Sequence, residues 1–174
     1  MYFSKGVKTI DNYLMNDKIN LVIENHIFQH NLTKIENLEK QRRFCLHGMQ
    51  HLLDVARIMY IISLENNFNI PKYMIYAAAL LHDIGRGEEY ENKTPHNIAC
   101  VQIASNILEQ CNYEAEEINN ILEAIKHHRE NNEKLNSLSY ILYKSDKLSR
   151  NCTRCSATLD CKWPVEKKNQ KITY

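Results

Sequence analysis

Residues 74–86 read MIYAAALLHDIGR, and this stretch decides the fold of the chain. The part up to Leu81 is apolar on every face of a helix, which is typical of a helix buried on all sides. The stretch then reaches His82 and Asp83, an imidazole beside a carboxylate, before Gly85 breaks the helix. Burial of such groups is costly unless they are paired, hydrogen-bonded or bound to a metal. The stretch therefore predicts a buried helix that carries a His-Asp pair to a cavity, for a structural hydrogen bond or for metal binding.

The composition favours a single all-helical domain. The chain has 174 residues, enough for a sizeable core, and only four Gly and three Pro to make turns. Apolar residues recur at helical spacing, so we expect about six to eight helices and no substantial sheet. The formal net charge of +1 gives no general attraction to nucleic acids or acidic membranes. We therefore expect neither as a partner.

Targeting signals are not evident in the sequence. The apolar run at residues 74–81 is too short to span a membrane. Residues 1–5 lack the charged and apolar regions of a signal peptide. We therefore expect a cytoplasmic protein, in which the six cysteines are reduced thiols or metal ligands rather than disulfides.

The first part of the chain is predicted to contain two or three helices. Residues 8–41 are expected to form one or two of them, within an N-terminal segment, 1–42, that packs on the core. The next predicted helix spans residues 43–66 and buries one face. This face comprises Phe44, His47, His51, Val55, Ile58 and Ile62.

The rest of the chain alternates predicted helices and polar loops. Pro71 suits the first turn of the buried helix, and residues 85–93 and 130–136 read as polar loops. Thr94 and Pro95 are expected to be the cap and first residue of the next helix. Further helices are expected from Glu114 to the histidine pair at 127–128, and over residues 138–148.

Histidines and a late aspartate accompany the His-Asp pair along the chain. They are His47, His51, His96, His127, His128 and Asp146. The neighbours at 127 and 128 lie about 100° apart on a helix, so they face different parts of a site or one faces solvent. His26 and His30 are one helical turn apart, but no third ligand has a matching place, and we do not expect them to bind metal.

This ordered set resembles the HD-domain superfamily of metal-dependent phosphohydrolases. The family pattern is H…HD…D, often with extra histidines before the last Asp. The helix of His51 looks like the first-histidine helix, residues 82–85 look like the HD motif, and Asp146 looks like the final Asp. The resemblance covers roughly residues 43–150 and implies a single-domain HD-type helical bundle. The segment 151–174 lies outside it.

The resemblance implies a set of metal ligands. One ion would be held by His51, His82, Asp83 and Asp146, a second by His96 with His127 or His128, and a third ion would involve His47. Asp83 would bridge two ions, as its counterparts do in binuclear relatives. Several imidazoles suit Fe, Mn, Co, Ni or Zn better than Mg alone. We therefore expect one to three such divalent ions as cofactors.

The resemblance also implies hydrolysis of a small phosphorylated, nucleotide-like substrate. Metals at Asp83 would lower the pKa of the attacking water and polarise a phosphoryl oxygen. Arg86 and Lys147 are expected to take part in catalysis and, with Arg150 and Arg129, to hold the phosphate. No GYP motif follows the histidine pair, so cyclic di-GMP is not favoured. Diadenosine polyphosphates are the nearest guess for the substrate, because the branch that hydrolyses them has similar later histidines.

Two other functions stay open on the sequence. An HD-type mixed-valent diiron oxygenase uses a closely related ligand set for a redox reaction. A non-catalytic regulatory or interaction domain could also bind metal and use the cysteine-containing segment as its contact surface. The full ligand set argues against the second of these, and oxygen uptake would identify the first.

The segment 151–174 carries three closely spaced cysteines, Cys152, Cys155 and Cys161. Three thiolates suit zinc or an iron–sulfur cluster, but either usually has a fourth ligand. Cys45 is the candidate, because the family fold would put the His51 helix near the Asp146 helix. The alternative is a segment with three unligated thiols.

Overall fold

The computed structural model describes residues 17–130 and 137–174, and the regular structure within them is helical throughout. Residues 17–24 are helical, and seven further α-helices follow among the described residues. They are α1 (His26–Leu38), α2 (Met49–Glu65), α3 (Lys72–Leu81), α4 (Arg86–Asn92), α5 (His96–Gln110), α6 (Ala115–His127) and α7 (Ser137–Leu148). The described residues contain no strand, which confirms the all-α prediction. The expectations for residues 8–16 and 131–136 lie outside the described residues.

Helix α3 lies at the centre of the bundle, as the apolar stretch predicted. It packs against α2, α6 and α7, and seven of its ten residues are buried. Three of these are the small residues Ala77, Ala78 and Ala79, which let neighbouring helices approach closely. Large side chains from the surrounding helices fill the remaining space, among them Phe28, Met59, Ile62, Ile107, Leu108 and Ile121. The end of α3 is thereby fixed in the interior, where polar groups need partners.

Helix α4 corrects the prediction of a polar loop over residues 85–93. Three of its seven residues are Glu, a good helix former, and Glu88 and Glu89 lie in the first turn, where negative charge is favourable. A helix this short is marginal alone. Lys34 of α1 stabilises it with ion pairs to Glu88 (2.7 Å) and Glu91 (2.8 Å). The periodicity of the sequence did not predict α4, because part of the stabilisation of this helix comes from contacts with α1.

The start of α2 also differs from the prediction. The helix begins at Met49 with Gly48 as its N-cap, so residues 43–48 are not helical. The carboxylate of Glu39 accepts the backbone N–H of His47 at 2.7 Å, which holds this segment outside the helix. Phe44 is 40% exposed, so it is not part of the buried face, whereas Val55 and Ile62 are buried as expected.

Two smaller features concern the helix ends and the C-terminal segment. Helix α5 begins at His96, with Pro95 as its N-cap and no side-chain cap, so Thr94 does not have the predicted capping role. After residue 150 the chain is irregular except for a 3₁₀ turn at Val165–Lys167.

Within residues 17–130 and 137–174, no helix has the length and apolar character needed to cross a bilayer.

Candidate metal centre

Five helices bring their ends or first turns to one buried point. His51 lies in the first turn of α2, and His82 and Asp83 directly follow α3. His96 is the first residue of α5, and His128 directly follows α6. Asp146 lies near the end of α7. The packing of these helices therefore brings together side chains that lie far apart in the sequence.

The turn after α3 is set by a close contact with α5. A Cβ atom added to Gly85 would lie 2.5 Å from the backbone nitrogen of Cys100, closer than real Cβ atoms come. The Cys100 thiol donates to the carbonyl of His82 and accepts the backbone N–H of Gly85, both at 3.0 Å. Only glycine therefore allows the turn to pack this tightly, and the packing fixes the direction of the His-Asp pair.

The first ligand group consists of His51, His82, Asp146 and one oxygen of Asp83. The Oδ2 atom of Asp83 lies 3.6 Å from Nε2 of His51 and 3.3 Å from Nε2 of His82. The Oδ1 atom of Asp146 lies 3.6 and 4.0 Å from the same two nitrogens. Donor atoms around one transition metal stand about 3 to 3.5 Å apart, given bonds of about 2.1 Å. The group is therefore close to a ligating arrangement.

The second ligand group consists of His96, His128 and the other oxygen of Asp83. The Oδ1 atom lies 3.5 Å from Nε2 of His96 and 3.8 Å from Nε2 of His128. The two imidazole nitrogens are 3.2 Å apart. The carboxylate of Asp83 thus stands between the groups, with one oxygen facing each, which is the arrangement needed to bridge two ions.

Each of the four histidines in these groups has its other ring nitrogen near an oxygen atom. Nδ1 of His82 lies 2.7 Å from the carbonyl of Ala79, and Nδ1 of His128 lies 2.5 Å from the carbonyl of Ile125. Nδ1 of His96 lies 2.8 Å from a carboxylate oxygen of Glu89, and Nδ1 of His51 lies 3.3 Å from the hydroxyl oxygen of Ser149. Such contacts fix the ring and leave Nε2 as the nitrogen available to a metal, as in other metal sites.

The environment favours the metal-binding protonation states of Asp83, His96 and His128, but not that of His82. Burial would raise the pKa of Asp83, but the neighbouring charges of His82 and Arg86 hold it well below its usual range. Burial lowers the pKa of His128 to about 3 and also lowers that of His96. The pKa of His82 is raised, because the two carboxylates outweigh its burial. Anionic carboxylates and neutral imidazoles are the forms that ligate metals, so a cation would replace the proton on His82.

Several buried polar atoms at this point have no hydrogen-bond partner of good geometry within the described residues, although Nε of Arg86 lies 2.9 Å from one of them, Oδ1 of Asp83. They are Nε2 of His51 and His82, both carboxylate oxygens of Asp83, and Oδ1 of Asp146. Atoms of this kind cost free energy in the interior when they are left unpaired. Because all of them face one another, divalent cations would satisfy the whole set at once. The residues present therefore fit the metal centre of an HD-type protein.

Two cavities flank this centre. One, of about 400 Å³, reaches His47 and Arg86, and the other, of about 750 Å³, reaches His51. Phe44, Cys45 and Arg150 line both. The lining residues of the smaller cavity include no Asp or Glu but six basic side chains: Arg42, Arg86, Arg129, Arg150, Lys162 and Lys168. The smaller cavity is therefore suited to an anion.

The basic residues proposed from the sequence lie in different positions around the centre. Nε of Arg86 lies 2.9 Å from Oδ1 of Asp83, and a guanidinium nitrogen of Arg150 lies 3.6 Å from Oδ1 of Asp146. Lys147 is paired with the other oxygen of Asp146 and is not among the residues that line the two cavities. Arg129 lines the smaller cavity. Arg86 and Arg150 are therefore the two cations best placed to contact both the centre and a ligand.

Two sequence candidates lie outside the ligand groups. His127 points to Glu130, with Nδ1 3.0 Å from its carboxylate, so of the histidine pair only His128 faces the centre. Nδ1 of His47 lies 2.6 Å from Glu39, and its ring packs edge-on against His51 with centroids 5.5 Å apart. His47 lies beside the first group rather than in it. His26, not expected to bind metal, is an exposed residue of α1.

Sequence reasoning missed Glu39 and Glu89, which contact the histidines from outside. Glu39 is 3% exposed, and its bonds with His47 and Tyr90 overcome the effect of burial and lower its pKa to about 2. A buried glutamate has no signature in a single sequence when its partner is eight residues away. Glu89 lies seven residues before His96, in the stretch expected to be a loop, so its position could not be anticipated.

Comparison with known proteins agrees with this geometry. The family model described as HD domain matches residues 48–151. This match covers more than half of the chain and includes both ligand groups, so the chain belongs to the HD domain family and the resemblance is confirmed. A protein from Clostridium beijerinckii, described as uncharacterized, is 40% identical over 158 residues, which cover 91% of this chain and 99% of that protein. No solved structure matches the chain.

Proposed function

We propose that this protein is a metal-dependent phosphohydrolase or phosphodiesterase that acts on a small nucleotide-like substrate. The observation that carries the proposal is the carboxylate of Asp83, which offers one oxygen to each of two ligand groups beside a basic cavity. Divalent ions bound there would supply a polarised phosphoryl oxygen and a water of lowered pKa. HD domains as a family are generally associated with this chemistry.

The chain's own residues would bind and orient the phosphate. Arg86 keeps Asp83 anionic and also lines the smaller cavity, so its guanidinium can contact a phosphate next to the metal centre. Arg150 can do the same from the side of Asp146, since it lines both cavities. The planar guanidinium matches two phosphate oxygens at once. Lys147 would hold Asp146 in place rather than contact the substrate.

The two cavities favour a substrate with organic groups on both sides of the phosphates. Each is within or near the size range of small-ligand sites, and they meet at Phe44, Cys45 and Arg150. A phosphate chain held at the metal centre, between His51 of the larger cavity and Arg86 of the smaller, would leave one nucleoside in each cavity. The partly exposed ring of Phe44 offers a surface on which a base can stack. This supports dinucleotides, such as dinucleoside polyphosphates, as the substrate class.

The proposal is tested by reloading chelator-treated protein with Mn, Fe, Co, Ni or Zn and measuring hydrolysis. The panel includes nucleoside monophosphates, cyclic nucleotides and dinucleoside polyphosphates, each followed by chromatography and phosphate release. We expect hydrolysis with at least one redox-inert metal under anaerobic conditions. Phe44→Ala should raise KM for a dinucleotide by about 10-fold, given the usual free energy of base stacking, and leave hydrolysis of p-nitrophenyl phosphate unchanged. Oxygen uptake with iron alone, and no hydrolysis with any metal, would instead favour a diiron oxygenase.

A further inference from the structure

Four of the six cysteines lie together although they come from distant parts of the chain. Cys152, Cys155 and Cys161 belong to the C-terminal segment, and Cys45 precedes α2 by a few residues. The other two cysteines, Cys100 and Cys111, are buried in α5 or at its end. The grouping therefore results from the fold and not only from the spacing in the sequence.

The position of Cys45 is central within this group. Cys45 lines the smaller cavity together with Cys152 and Cys161, and it lines the larger cavity together with Cys155. It therefore stands between the other three. Partial desolvation of this exposed residue's thiol and the negative charge that those three thiols can carry both raise the pKa of Cys45, while Arg150 opposes them. Arg42 donates from Nε to the carbonyl of Cys45 at 2.9 Å, which fixes this part of the loop before α2.

The C-terminal segment has little apolar core of its own. Ala157 is fully buried, but Leu159 is 97% exposed and Val165 is 75% exposed. Its order depends on polar contacts, such as those of the Thr158 hydroxyl with the carbonyls of Cys155 (2.6 Å) and Cys152 (3.4 Å). These bonds fold the segment around the first two thiols of the cluster. Small irregular segments of this kind commonly need a metal or a covalent link to hold one structure.

We propose that Cys45, Cys152, Cys155 and Cys161 bind one structural zinc ion that fixes the C-terminal segment to the HD core. Four thiolates in a tetrahedron are a common structural zinc site. Basic side chains of the adjoining cavities, among them Arg42, Arg150, Arg154 and Lys162, offset the negative charge of a zinc tetrathiolate. None of this depends on hydrolysis at Asp83.

Zinc would draw the four sulfur atoms inward. Within the described residues no three of these sulfurs lie within 4.8 Å of one another, whereas sulfurs around one zinc stand about 3.8 Å apart, given bonds of about 2.3 Å. Cys45 is exposed and the other three are partly exposed, so their side chains have room to turn. The site then fixes Arg150 and Trp163, whose guanidinium and ring stack at 3.9 Å in the wall of the smaller cavity.

The test compares metal content by element, together with acid-labile sulfide, in three single variants of the full chain purified under reducing conditions. Cys155→Ser and Cys45→Ser should each lose about one zinc per chain, because a structural site needs all four thiolates. Cys111→Ser is the matched control and should keep its zinc. Replacement of the zinc with cobalt should give the intense thiolate-to-cobalt absorption band in the unmodified protein and in Cys111→Ser only.

Each other outcome would overturn the proposal. Unchanged zinc in Cys155→Ser would mean that the thiols are free, and zinc lost in Cys155→Ser but kept in Cys45→Ser would refute the four-cysteine set. Iron and sulfide lost in place of zinc would identify an iron–sulfur cluster. Asp83→Ala separates the two sites, because it should retain the thiolate zinc even if the HD centre never binds metal. Far-UV circular dichroism establishes that each variant is still helical.

Discussion

The two ligand groups around Asp83 are built in different ways. The first group takes its residues from α2, from α7 and from the turn after α3, and these three helices pack directly against one another. It offers four donor atoms. The second draws on the start of α5 and the end of α6 and offers three, one of them from the shared carboxylate. It also relies on Glu89 of α4, a helix that ion pairs with Lys34 stabilise. The helices of both groups pack directly against one another, so the second group differs in its added polar contact from a short helix that is itself held by ion pairs.

The largest effect should follow from the residue that the two groups share. Asp83→Ala removes one oxygen from each group and the negative charge between the two cations, whose repulsion then rises. We expect the affinity for both ions to fall by more than about 100-fold and any hydrolysis to disappear. This exceeds the loss that is typical when a residue that only hydrogen-bonds a metal ligand is removed. Elemental analysis after dialysis measures this. His26→Ala should retain normal stoichiometry, and a normal metal content in Asp83→Ala would refute the assignment.

The next largest effect should come from substitutions that remove a histidine from only one of the two ligand groups. His128→Ala leaves the second group with one imidazole, while the first keeps its four donors, so we expect about one ion fewer per chain. His51→Ala should have the converse effect. Titration of chelator-treated variants by calorimetry would count the ions. If either substitution removed all metal, the groups would act as one site and the comparison between them would fail.

Glu89→Gln tests whether the second group depends on its polar support. The substitution keeps the size of the side chain but removes the charge that faces Nδ1 of His96 at 2.8 Å. Loss of such partners typically costs 10- to 100-fold in metal affinity, so we expect about 10-fold or more for the second ion and little change for the first. Glu109→Gln, at an exposed position of α5, is the control. Equal weakening of both ions would show that Glu89 acts through general stability.

Ser149→Ala should have the smallest effect. Its hydroxyl lies 3.3 Å from Nδ1 of His51, a long contact, and it also donates to the carbonyl of Asp146 at 2.9 Å. Because core packing already fixes α2 and α7, we expect the affinity of the first ion to fall by about 3-fold, as for one ordinary hydrogen bond. The same calorimetric titration measures it. A loss of 10-fold or more would mean that the first group depends on polar support as much as the second.

The sequence predicted the helical fold and pointed to the histidines and aspartates that the structure brings together, because both leave local signals. The apolar run at residues 74–81 showed a buried helix, and the ordered histidines and aspartates showed the family. The sequence did not show which of His127 and His128 faces the candidate centre. Helix α6 ends at His127, so helical periodicity no longer predicts where the side chain of the next residue points. Helix α4 and Glu89 could not be anticipated either, since both depend on contacts between distant segments.

The side-chain amide of Asn169 has a consequence for how the protein can be divided. It donates to the backbone carbonyls of Lys147 (2.8 Å) and Leu148 (3.2 Å), the last two residues of the helix that carries Asp146, and of Arg150 (2.9 Å), just beyond that helix. The family match ends at residue 151, yet a cut there would leave these carbonyls without that donor. The boundary of the family is therefore not a boundary between independent modules. Truncation or recombination that removes or exchanges the last 23 residues would alter the helix end beside the candidate metal centre.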